Sequence, residues 1–98
     1  MRRIVVLGAG GQAREVAWTL EEINRVAPTF EFLGFVVSDL SRLGAYDSRD
    51  QVLGDYRWLR EHRDRFDALA LGIGNPAPRL KVAGELEPEF GPEFWPPV

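Results

Sequence analysis

The sequence predicts an α/β domain of three layers, a short parallel sheet flanked by helices, and three observations predict it. Apolar runs bounded by glycine and aspartate alternate with stretches of helical period. Two of the strand-to-helix junctions are rich in glycine. The chain has 98 residues, enough for one small core.

Ile4 to Leu7 is a continuous apolar run, the pattern of a central strand covered on both faces. From Ala13 the residues Val16, Ala17, Leu20 and Ile23 follow one helical face, with Arg14, Glu15, Glu21, Glu22 and Arg25 on the other. Pro28 ends that helix. Phe32 to Val37 reads as a second buried strand, interrupted by Gly34 and closed by Ser38-Asp39, which completes a right-handed β-α-β unit. Leu40 to Asp50 shows no apolar period and is expected to be a mobile loop over the sheet edge.

Asp55 then caps a short helix from about Tyr56 to Arg63. Asp67 to Ile73 is the third strand, its small residues suited to a crowded central place. Asn75 and Pro76 have the character of an N-cap and first-turn proline opening a third helix to about Leu86. From Pro88 onward prolines exclude a helix or a central strand, so 88–98 reads as a tail or linker and 1–98 as a single domain.

Composition narrows the function. A net charge of -3 carries no electrostatic footprint for nucleic acid or an anionic membrane, so neither is an expected partner. The absence of cysteine excludes a disulfide framework, a thiolate metal site and a cysteine nucleophile. Met1-Arg2-Arg3-Ile4 starts like a signal segment, but its apolar run stops at the glycines, and a cytoplasmic protein is expected. The single histidine, His62, lies among Arg60, Glu61 and Arg63 and reads as a solvated surface residue. No serine elbow, spaced histidine pair or P-loop lysine appears, and no catalytic or metal-binding residue is assigned.

Gly8-Ala9-Gly10-Gly11-Gln12-Ala13 fits G-x-G-x-x-G/A immediately after a strand and at the opening of a helix, the Rossmann-like context for holding a diphosphate. Gly8 permits the turn, Gly10 lets backbone approach the phosphates, and Ala13 lets the helix pack closely. Exposed amide groups at the helix start would hold the anion. Asp39, with Ser38 beside it, stands at the end of the second strand, where a carboxylate accepts hydrogen bonds from a ribose or serves only to start a turn. Gly74 and Asn75 form a second junction expected to open on the same crevice. Arg79, one turn further on, would add a cation for a diphosphate.

The segments "IVVLGAGGQAREV", "FEFLGFVVSD", "VLGD" and "ALGIGNPAPR", in this order, resemble the N-terminal domain of the sugar O-/N-acyltransferases of the sialic-acid O-acetyltransferase and bacillosamine-pathway type. That resemblance implies a small Rossmann-like domain binding a nucleotide-linked amino sugar, typically a UDP-sugar. It also implies a following left-handed β-helix that trimerises, binds acetyl-CoA and supplies the histidine base. Gly8, Gly10 and Gly11 match the family's phosphate loop, Asp39 its acidic cluster, and Gly74 and Asn75 its glycine-asparagine junction. Gln12 stands where the family usually has histidine, and the acidic cluster is reduced to one carboxylate. Because the 98 residues end about where the connection to the β-helix begins, acetyl-CoA is expected only with that domain, and the chain alone is expected to bind without catalysing.

Two other functions fit the same residues: an interaction or regulatory module that keeps the fold without the ligand, and a dinucleotide- or CoA-binding domain. Trp18 on the polar face of the first helix, with Phe90, Phe94 and Trp95 in the tail, forms either an interface for another copy or a β-helix acyltransferase domain, or a tail folded over its own sheet.

Overall fold

The computed structural model describes residues 1–44 and 49–96 and shows a Rossmann-like α/β domain. Four parallel strands, β1 (Arg2–Leu7), β2 (Phe30–Val37), β3 (Val52–Asp55) and β4 (Ala68–Leu71), pair in the order β3-β2-β1-β4. Strand β1 is central, as its unbroken apolar run predicts, and its last four residues are buried. Helix α1 (Gly11–Val26) follows β1, α2 (Tyr56–Glu61) follows β3 and α3 (Pro76–Leu86) follows β4.

Side chains alternate along the strands and so build two cores. Ile4, Val6, Phe35, Ala68 and Ala70 meet Ala13 and Leu20 of α1 on one face. Val5, Leu7, Val36 and Leu69 meet Leu59 of α2, Val82 and Leu86 of α3 and Phe90 beyond it on the other. The return from α1 to β2 is tied by Asn24. Its amide donates to the Phe30 carbonyl at 2.7 Å and its Oδ1 accepts from the Thr29 and Phe30 amides, both at 3.0 Å.

Two expectations are revised, and the alternatives for the tail are decided. Residues 52–55 form a strand that the sequence did not disclose, so Ala68–Leu71 is the fourth strand and not the third. That strand lies at the edge of the sheet, not in a crowded centre, and its alanines are small because α1 packs against them. The tail folds over its own domain: Phe90 is fully buried, Phe94 and Trp95 pack against the second core, and the Trp95 indole donates to the Phe90 carbonyl at 3.0 Å. Trp18 alone of those aromatics stays exposed. Of the loop expected over 40–50, Leu40–Arg42 and Arg49–Gln51 form 3₁₀ turns, and 45–48 lie outside the described residues. Among the described residues no helix is long and apolar enough to cross a membrane.

The start of β1 is joined to the start of β4 through charge. Asp67 accepts from the Arg3 side chain twice at 3.1 Å and from the Arg3 amide at 2.8 Å. The Arg3 guanidinium, and then its backbone N–H, hold the Asp67 carboxyl down at about 2. A carboxyl depressed on folding stabilises above its unfolded pKa and loses that contribution as pH falls through the folded value. Asp67→Asn should therefore melt below the native protein near neutrality, and the gap should close between about pH 4 and about pH 2. A gap that persists unchanged at the acid end in thermal melts would show that the pair does not carry it.

Candidate functional site

The strand order reverses direction at β1: the chain passes outward through β2 to β3 and then returns to place β4 on the other side. At such a switch point loops diverge above the carboxyl ends of the strands and leave a crevice. Here that crevice is a hollow of about 210 Å³, into which Gly8 and Ala9 project from the β1–α1 loop, Val37, Ser38 and Asp39 from the end of β2, Tyr56 from the start of α2, and Ile73 from beyond β4.

Gly8 has φ +110, a conformation that L side chains rarely adopt, and a Cβ there would lie 2.8 Å from the Gly72 carbonyl oxygen. The first and second glycine junctions therefore touch. Gln12 and Gly74 adjoin as well, since a Cβ on Gly74 would come within 3.5 Å of the Gln12 amide oxygen. The Gly8 amide donates to the Val36 carbonyl at 2.7 Å and continues the sheet's ladder, so it does not face a ligand.

The two helix starts differ in what they offer. Gly10 is the N-cap of α1 and provides no side-chain cap, no acidic residue occupies the first turn, and Gly11, Gln12 and Ala13 each carry an N–H. The positive end of a 16-residue helix is thus left without a carboxylate of its own. At α3 Asn75 takes the N-cap position but makes no cap hydrogen bond. Pro76 and Pro78 remove two of the three amides in that first turn, leaving Ala77. Of the two junctions α1 is the better place for an anion.

Asp39 does start a turn: its Oδ1 accepts from the Ser41 amide at 2.9 Å and the Ser41 hydroxyl at 2.6 Å. It also lines the crevice. Ser38 is exposed beside it. Arg79 is placed elsewhere. Its Nη1 donates to the Ile73 carbonyl at 3.3 Å, and it lines a separate hollow of about 190 Å³ with Val16, Leu71 and Trp95 at the β4 edge. His62 is half-buried, not solvated: it ends α2, its ring stacks on Trp58 at 4.7 Å, and its Nδ1 meets the Trp58 carbonyl at 2.9 Å.

Val37, Leu43, Tyr56 and Ile73 line the hollow without having been announced by the sequence, and of these Tyr56 has a polar side chain. The position of Tyr56 follows from register, because Asp55 pairs with Val37 and the residues just beyond the two strands, Tyr56 and Ser38, reach the same rim. Among the described residues no group of acids and imidazoles is arranged to hold a metal ion. Compared with protein-family models, with curated proteins and with solved structures, the chain matches none.

Proposed function

We propose that this domain binds a nucleotide sugar of the UDP-amino-sugar class, with the diphosphate at the start of α1 and the nucleoside in the adjoining crevice. The observation that carries the reading is the uncapped, acid-free N-terminus of α1 opening beside a hollow rimmed by Gly8, Ser38 and Asp39. The uridine and amino-sugar part of it rests on the resemblance of the four sequence segments. The reading assigns binding and not chemistry to these residues. Acetyl transfer needs a base beside the nucleophile, and the one imidazole packs against Trp58 and does not line the crevice.

Titration of the protein with UDP, UDP-N-acetylglucosamine, NAD and CoA by calorimetry tests the proposal, beside a Gly10→Val variant. Gly10 has φ −86, a backbone conformation open to any residue; valine is a poorer N-cap by about 1 kcal/mol, and a thermal melt of the variant checks that it is folded. Its branched side chain would stand where the phosphates approach. Saturable binding of the two uridine nucleotides, weakened at least roughly tenfold in the variant, is the expected result. Binding of NAD or CoA alone, or equal affinity of the two proteins for UDP, would overturn it.

A further inference from the structure

We infer that Tyr56 is a ligand-binding residue whose hydroxyl donates a hydrogen bond to the nucleoside portion of the ligand, in the crevice it shares with Asp39. The inference rests on the nucleotide reading above and adds to it a residue, a direction of hydrogen bonding and a part of the ligand. Tyr56 is only 9% exposed, and its ring belongs to the core formed with Val5, Leu7 and Val36. Its place is secured at the first position of α2, where Asp55 caps the helix by accepting from the Arg57 amide at 3.0 Å. A side chain held there by packing and capping is pre-organised for a partner.

Its hydroxyl has no hydrogen-bond partner among the described residues, although buried tyrosines ordinarily find one. No buried side-chain polar atom among the described residues is left without a partner, and Tyr56 borders the open hollow. Burial, and then the charge of Glu85, push the phenol up to about 12, so it remains a neutral donor at any physiological pH. Asp39 accepts, Ser38 does both, and Ala9, Val37, Leu43 and Ile73 supply apolar wall. A nucleoside matches that inventory: a flat base for the walls, a ribose hydroxyl for Ser38, and carbonyl or ring oxygens for the phenol.

The diphosphate is an unsuitable partner for Tyr56 on grounds of placement. Tyr56 belongs to the core on the α2–α3 face of the sheet, whereas α1 and its amide groups pack on the opposite face. The two therefore address different portions of one ligand. A hollow of about 210 Å³ also falls short of the roughly 300–1,000 Å³ of sites for drug-sized molecules. It suits a nucleoside whose phosphates and sugar extend outward.

Tyr56→Phe keeps the ring and removes only the donor. Calorimetric titration of the native protein and the variant with UDP and with inorganic pyrophosphate, beside melts without ligand, tests the inference. UDP affinity is expected to fall roughly fivefold to tenfold, with pyrophosphate affinity and the unliganded melting temperature unchanged. Equal UDP affinity in the two proteins would overturn the role of the hydroxyl while leaving the nucleotide reading standing. A matching loss of pyrophosphate affinity would place the hydroxyl on the phosphates and overturn the assignment to the nucleoside. Failure of the native protein to bind UDP would remove the nucleotide reading, and this inference with it.

Discussion

Gly72→Ala is expected to destabilise the domain by about 3 kcal/mol, lowering its melting temperature by roughly 10–25 °C. Gly72 is buried where the chain leaves β4, and its amide donates to the Leu7 carbonyl at 2.8 Å. A Cβ at this position would lie 2.6 Å from the Ala13 Cα, 2.9 Å from the Ala13 Cβ and 2.9 Å from the Leu7 carbonyl oxygen. None of those atoms is the end of a flexible side chain. Relief requires α1 to move off the sheet, and α1 carries Leu20 into the first core. Gly74→Ala is the control, because there the added carbon would meet only the Gln12 side chain, at 3.5 Å or more. Thermal melts of the two variants separate the cases; a Gly72→Ala melt as high as that of Gly74→Ala would show that α1 yields without cost. Since the displaced element is the helix at whose start the diphosphate is proposed to bind, the proposed UDP affinity would fall in Gly72→Ala as well.

The closeness of Gly72 to Ala13 marks how much of this molecule could be read along the chain. Ala13 was legible as the small residue that lets a helix approach its sheet, and α3 was legible to both ends from Asn75-Pro76 and Leu86, because caps and periodicity are local. Strand β3 was not. Val52 and Leu53 are followed at once by Gly54 and Asp55, too short a run to show a period, and its strand character comes from pairing with Phe35 to Val37. Gly8, Ser38 and Asp39 could be placed on one rim because each lies at a strand end. Tyr56 could not, for its place depends on the register of an unrecognised strand. Arg79 misled for a related reason: sequence distance from the junction does not say which side of the helix faces the crevice, and the guanidinium turns to the β4 edge.

Phe90→Ala is expected to cost about 3–5 kcal/mol and to release the tail. Within the small stability of a domain this size, some 5–15 kcal/mol, that loss is severe. Phe90 is fully buried, with ring centroids 5.7 Å from Phe66 and 5.4 Å from Phe94, and the Arg63 guanidinium lies 4.6 Å above its face. Alanine removes the shared neighbour of two other rings, themselves 5.8 Å apart, and a cavity ringed by helix, strand and tail collapses only in part. The tail's attachment depends on the same place, because the Trp95 indole donates to the Phe90 carbonyl. Trp95 and Pro96 line one hollow with Leu69, Ala70 and Leu71 at the open edge of β4, an edge with no charged residue and no proline of its own. Unshielded edges of that kind pair with other chains. The expected record is therefore a depressed melt in near-ultraviolet dichroism, where the packed tryptophans report, together with concentration-dependent association on gel filtration. A variant that melts within about 1 kcal/mol of the native protein and elutes at the same volume would show that the tail is held independently of Phe90.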